Sequence, residues 1–230
     1  MKIEIKGVIV SNNDMWIYEW FEMDAVSPNV VNEQLEKANG EDIEVVINSG
    51  GGDVFAGSEI YTAIKEYKGN VTTKIVGIAA SAASVIAMAG DRVLMSPTAQ
   101  MMIHNVSSMA WGDYRDLEHE AEVLKNYNKT ISNAYRIKSD LEESELLEMM
   151  NKETWLTSQQ ALNLNLIDEV MFENQTPKLV ASGPGTIPQV VIDKIRNVLK
   201  NEKPKDNKTE LKRKEAKVKF DLLNLRGKTE

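Results

Sequence analysis

The sequence predicts an α/β domain built on a mostly parallel sheet. Two observations carry this: short apolar, β-branched runs alternate with segments of helical periodicity, and two of the strand-to-helix junctions are clusters of small residues. Residues 2–10 read as the first strand. Ser27 and Pro28 open a helix, with serine as cap and proline at the first helical position, and it continues through Val30, Val31 and Leu35. A strand over 43–47 precedes a helix over 54–68, whose Ile60, Tyr61 and Ile64 share one face. A strand over 74–77 leads to a small-residue helix over 79–89, and strands follow at 92–95 and 101–104.

From residue 113 to about 138, Leu117, Ala121, Leu124, Ile131, Ala134 and Tyr135 trace a long amphipathic helix. At ~1.5 Å per residue it would reach roughly 40 Å, which outruns a compact core and points to contact between subunits. Segments 141–150 and 157–164 complete the domain. The second opens with a capping box, Thr157-Ser158-Gln159-Gln160.

Composition narrows the chemistry. The 230 residues include no cysteine, so neither a disulfide framework nor a thiolate nucleophile is available, and serine is the strong nucleophile that remains. The net charge of −8 divides into −14 over residues 1–192 and +6 over 193–219, with the last eleven residues neutral. An acidic body repels nucleic acid and argues against a nucleic-acid enzyme. No apolar run approaches the ~20 residues that span a bilayer, and the first residues read at once as a strand, so the expectation is a cytoplasmic protein without a membrane partner.

The chemistry-bearing segment is Gly77-Ile78-Ala79-Ala80-Ser81-Ala82-Ala83-Ser84, followed 23 residues after Ser81 by His104. A serine at the start of a small-residue helix, preceded by a strand, sits where backbone N–H groups point outward, which is how a nucleophile and an oxyanion hole are built together. Close packing of a buried helix would use the same residues. A second glycine cluster, Asn48-Ser49-Gly50-Gly51-Gly52-Asp53, after the strand at 43–47, favours a site. It lacks the Lys-Ser/Thr of a phosphate-binding loop, so no nucleotide is expected, and neither metal nor other cofactor is called for. The other histidine, His119, lies among Glu118, Glu120 and Glu122 and reads as a surface residue. Ser84, one turn beyond Ser81, reads as packing; Asp53 reads as a helix cap.

In this order and spacing, Asn48-Ser49-Gly50-Gly51-Gly52, Gly77-Ile78-Ala79-Ala80-Ser81 and Met102-Ile103-His104 resemble the proteolytic subunits of the Clp protease (ClpP) family of serine peptidases, over residues 2–170. The resemblance implies a ClpP/crotonase-like fold whose long helix is the handle between two stacked seven-membered rings. It implies Ser81 as nucleophile, His104 as general base, and backbone N–H groups of Gly51 and Ala82 as the oxyanion hole. The family's aspartate falls on Glu153, one methylene longer, with Asn151 and Asp168 as alternatives. An ATP-dependent unfoldase would be a separate partner.

After Phe172 the composition changes. A serine protease domain over 1–174 is expected to be followed by a Pro/Gly linker over 175–191 and a charged extension over 192–230, with a short helix at 192–199 and an apolar end at 220–225. The extension is either a solubilising tail or an interaction segment. With the aromatic segment 16–28, it makes the chain resemble the ClpP-related head maturation proteases of tailed bacteriophages and prophages, and implies a capsid or scaffold precursor as substrate. A housekeeping-type ClpP subunit, a crotonase-type acyl-CoA enzyme and an inactive ring scaffold are the competing expectations.

Overall fold

The structure, a computed structural model, describes residues 1–173; the linker and extension expected at 175–191 and 192–230 lie outside the described residues. The element order is β1 (Lys2–Ile9), α1 (Met15–Trp20), β2 (Ala25–Val26), α2 (Pro28–Ala38), β3 (Ile43–Gly52), α3 (Val54–Glu66), β4 (Val71–Ala80), α4 (Ala82–Ala87), β5 (Arg92–Met95), β6 (Gln100–Ile103), α5 (Tyr114–Ser139), α6 (Glu143–Asn151), β7 (Thr154–Thr157), α7 (Ser158–Asn163) and β8 (Glu169–Val170). Among the described residues the eight strands form one sheet, ordered β2-β1-β3-β4-β5-β8, with β6 paired to β4 and to β7. Every pairing is parallel except β6–β7. The expected mixed fold with a mostly parallel sheet and flanking helices is the fold observed.

The core forms where the strands' alternating side chains meet the helices. Ile3, Ile5, Ile47, Ile60, Ile75 and Ile86 are all fully buried. At roughly 1.5–3 kcal/mol per buried aliphatic side chain, these positions hold the layers together. Helix α5 runs for 26 residues under a capping box made by Asp113 and Asp116. The box expected at Thr157 and Gln160 is formed, and Asp53 caps α3 by accepting from the Ala56 N–H at 2.7 Å. Ser27 occupies the cap position of α2 in extended conformation, but its side chain makes no capping bond, so Pro28 at the first turn carries that start.

Three differences from the sequence expectation bear on the site. The glycine cluster is not a turn: β3 continues through Gly52 and pairs with β1, Val8 opposite Gly51 and Ile9 opposite Gly52. Glycine is needed for close approach, since Gly52 sits at φ 149° and a Cβ there would overlap the Ile9 carbonyl. Ala79 and Ala80 belong to β4, so the helix begins only at Ala82. The aromatic segment near residue 16 forms the short helix α1, whose irregular apolar pattern gave no periodicity to detect.

Strand β4 also contains a bulge. Between the pairs Ile47–Ile75 and Ser49–Ala79 it carries two more residues than β3. The Asn48 side-chain oxygen enters this gap and accepts from the Ile78 N–H at 3.2 Å; Gly77 leaves room for it, since a Cβ would overlap the Asn48 amide. As a result β4 changes neighbour, pairing with β5 over residues 72–75 and with β6 over 78–80. The end of β4 is thereby delivered beside the end of β6.

Two glycines at positive φ separate conformational cost from close approach. Gly40 (φ 83°) has open space where a Cβ would go, whereas Gly52 does not. Gly40→Ala should cost about 1 kcal/mol, the left-handed penalty alone. Gly52→Ala should cost roughly 3 kcal/mol or more, because backbone must also move. Equal denaturation midpoints for the two variants would refute the close-approach account.

Candidate active site

Ser81 joins the bulged end of β4 to α4. Its φ of 55° and ψ of −127° lie outside the regions that non-glycine residues ordinarily occupy, a geometry that costs on the order of 1–3 kcal/mol and persists only where its surroundings enforce it. The Ser81 N–H donates to the Met102 carbonyl of β6 at 3.0 Å, and the Ser81 carbonyl accepts from the Ser84 N–H at 2.9 Å and the Val85 N–H at 3.3 Å. The strained turn is thus tied to β6 on one side and to α4 on the other.

His104 follows the last residue of β6. Its Nε2 lies 2.8 Å from Ser81 Oγ, within hydrogen-bond reach of the proton a base would remove. Ser81 and His104 are both partly exposed and line one cleft of ≈ 220 Å³, with Val54, Val85, Ile131 and Tyr135 forming its apolar wall. The remaining histidine, His119, is exposed on α5.

The backbone of Gly51 is brought against the nucleophile. A Cβ on Gly51 would lie 2.7 Å from Ser81 Cβ and 3.1 Å from the Ala82 nitrogen, so this approach also requires glycine, at φ 96°. The Ala82 N–H, first in α4, has no acceptor among the described residues. The Gly51 N–H instead donates to Ser49 Oγ at 3.1 Å, and Ser49 Oγ donates to the Gly7 carbonyl at 2.6 Å. Ser49 is fully buried, and this role was not foreseen from the sequence.

Glu153 is exposed, at φ 49°, in the turn between α6 and β7. The antiparallel register of β6 and β7 ends at the pair Ile103–Thr154, and His104 and Glu153 are the residues that adjoin that last pair. No hydrogen bond joins the two: Glu153 Oε1 accepts from Trp155 Nε1 at 3.3 Å. Asn151 is held by Asn105, whose Nδ2 donates to Asn151 Oδ1 at 2.8 Å. Asp168 is engaged elsewhere, accepting from the Val93 N–H and from Lys138 Nζ, each at 2.6 Å. Among the described residues no group of three or more His, Cys, Asp or Glu side chains is placed to hold a metal ion, and no helix is long and apolar enough to cross a membrane.

A strained serine within hydrogen-bond distance of an imidazole, beside a cleft and a backbone donor with no acceptor among the described residues, on a mostly parallel α/β scaffold, is the set of parts that a serine-type hydrolase uses. The chain belongs to the Clp protease family, whose sequence model matches residues 10–174. It is similar to the ATP-dependent Clp protease proteolytic subunit of Deinococcus radiodurans, 35% identical over 144 residues, which are 61% of this chain and 71% of that protein. It is also similar to the ATP-dependent Clp protease proteolytic subunit 1 of Chlamydia abortus, 33% identical over 144 residues, or 60% of this chain and 74% of the relative. The corresponding subunit of Porphyromonas gingivalis is 29% identical over 168 residues, covering 70% and 76%.

The engagement of Asp168 gives a test of its structural role. The Lys138 side chain is only 14% exposed, so neutralising its partner leaves a poorly hydrated cation. Asp168→Asn should cost about 1–2 kcal/mol of stability, read as a lower thermal midpoint, with unchanged hydrolysis per folded molecule. Loss of hydrolysis at full stability would move Asp168 into the site.

Proposed function

We propose that the protein is a ring-forming serine endopeptidase in which Ser81 is the nucleophile and His104 the general base. The observation that carries this is the 2.8 Å approach of His104 Nε2 to Ser81 Oγ at the strained turn. As Oγ attacks the scissile carbonyl carbon, Nε2 takes its proton and the carbonyl π electrons move onto oxygen. The Ala82 N–H stabilises that oxyanion; the Gly51 N–H joins it on exchanging Ser49 Oγ for the oxyanion. Collapse breaks the C–N bond, and the imidazolium gives its proton to the departing amine. Water, deprotonated by His104, then attacks the acyl-enzyme, and Ser81 Oγ leaves with the returned proton.

Glu153 is the proposed third member. Its place adjoining the last β6–β7 pair, like that of His104, supports this, and the role requires its carboxylate to exchange Trp155 Nε1 for His104 Nδ1. Met109 and Trp111, in the segment before α5, and Tyr114, its first residue, are 92%, 94% and 70% exposed, large apolar side chains that favour burial between subunits of a ring. For substrate we propose a capsid or scaffold precursor, supported by the aromatic segment 16–28 and the basic stretch 193–219. A second reading, degradation with an ATP-dependent unfoldase, is favoured by the names of the relatives, each an ATP-dependent proteolytic subunit. Processing of a folded precursor without ATPase separates the first from the second.

Fluorophosphonate labelling tests the nucleophile. Ser81→Ala should abolish labelling and peptide hydrolysis and leave the far-ultraviolet circular dichroism unchanged; persistent labelling would place the nucleophile elsewhere. Glu153→Gln keeps the shape and removes the charge that stabilises the imidazolium. It should lower kcat on the order of 10²-fold or more, with the assembly unchanged by size-exclusion chromatography. Parental turnover in that variant would transfer the role to another group.

A further inference from the structure

Two buried hydroxyls behind the nucleophile form a chain that ends on its peptide group. Ser84 Oγ lies 2.6 Å from the Ser81 carbonyl oxygen and 2.8 Å from Tyr135 Oη. Ser84 is fully buried and Tyr135 is 1% exposed. The directions follow from the inventory of protons. A carbonyl only accepts, so the single Ser84 hydroxyl proton is spent on the Ser81 oxygen, and the Tyr135 hydroxyl must donate to Ser84 Oγ. Burial pushes the Tyr135 phenol pKa up, which keeps it protonated and able to donate.

The Ser81 carbonyl does not need this bond for satisfaction, because it already accepts from the N–H groups of Ser84 and Val85. What the bond adds is a further hold on the carbonyl's direction, beside that of the two N–H groups. The carbonyl of Ser81 and the N–H of Ala82 belong to one planar trans peptide, in which they point in opposite directions. Drawing the carbonyl toward Ser84 and α5 therefore turns the Ala82 N–H the other way, toward the open side of the turn. The torsion that sets this direction is Ser81 ψ, held at −127° against the ordinary preference of a serine.

Resting on the reading of Ser81 as nucleophile and Ala82 N–H as oxyanion donor, we propose that Tyr135 and Ser84 are positioning residues that act in series, Tyr135 O–H to Ser84 O–H to the Ser81 carbonyl, to aim the oxyanion donor. Neither touches the reacting atoms through its hydroxyl. Their effect is confined to the steps in which negative charge develops on the substrate oxygen, so substrate binding is spared and turnover is not.

The test uses the full chain with Tyr135→Phe, Ser84→Ala and the double variant, each compared with the parent for peptide kcat and KM, the rate of fluorophosphonate labelling, the inhibition constant of a peptide aldehyde and the thermal midpoint. Misaiming a donor removes part of the 10²–10³ in kcat that outright loss of one costs, so each single variant should lower kcat about tenfold with KM unchanged. Labelling should slow and aldehyde inhibition weaken by similar factors. The double variant should fall no further than the worse single one, because both break the same chain. Tyr135→Phe keeps the ring that fills the site, and Ser84→Ala tests the same link from the other end if either variant is unstable. A lower thermal midpoint with parental kcat and labelling would overturn the proposal and leave the hydroxyls structural, as would additive losses in the double variant. A parent that neither labels nor hydrolyses peptide would instead overturn the nucleophile assignment, and the relay with it.

Discussion

The backbone conformation of Ser81 is the constraint on which the rest of the site depends. A left-handed turn at a non-glycine residue is stable only if its neighbours over-determine it, and here they do so from both sides: Met102 holds its N–H, while Ser84 and Val85 hold its carbonyl. The surroundings must then be small. Ala82, Ala83 and Ser84 are buried in α4, and a Cβ on Gly57 of α3 would come within 2.8 Å of the Ala82 Cβ. The small residues that look like ordinary helix packing are thus the condition for placing a serine at the end of a strand in this conformation.

The same constraint explains the irregularity of the sheet. The pairing of β4 with β5 ends at Ile75–Met95, and its pairing with β6 starts at Ile78–Gln100. Two extra residues in β4, accommodated by Asn48 and Gly77, let the strand change partner and end beside His104. The distance between nucleophile and base is therefore set by backbone pairing of β4 with β6, with no side chain reaching across open solvent. Supporting a reacting pair on strands in this way fixes its geometry more tightly than loops do.

Much of this was legible in the sequence, and what was not has identifiable causes. Periodicity revealed α3 and α5 because each carries apolar residues at helical spacing, which α5 buries only in its C-terminal half, and the caps at Asp53 and Thr157 were visible because a capping residue and its partner are local. Ser81 and His104 could be singled out because cysteine is absent and histidine is scarce. The extension of β3 through Gly52 was hidden because glycine marks a turn and a close backbone approach in the same way. The bulge was hidden because its cause, the Asn48 amide against Gly77, depends on two strands being neighbours. The engagement of the Gly51 N–H by Ser49 was hidden for a similar reason: a buried serine hydroxyl is read from its partners, and these are set by the sheet.

Tyr135 shows the limit most clearly. In the sequence it is one member of an apolar stripe on α5, and the structure packs only the C-terminal part of that stripe: Ala134 and Tyr135 are buried and Ile131 is half-buried, whereas Leu117 and Ala121 are exposed. Tyr127 meets Phe55 edge-on at 5.6 Å between ring centroids, while Ile131 and Tyr135 line the cleft. Periodicity alone cannot distinguish a tyrosine that fills space from one whose hydroxyl orders a neighbour, since both require the same position. The distinction comes from the partner, Ser84, 51 residues earlier and fully buried. A phenylalanine would satisfy the stripe equally well; a buried phenol has to find an acceptor, and the acceptor it finds leads back to the peptide group of Ser81. The helix that reads as the architectural element of this domain is, at its C-terminal half, part of the wall and the alignment of the cleft.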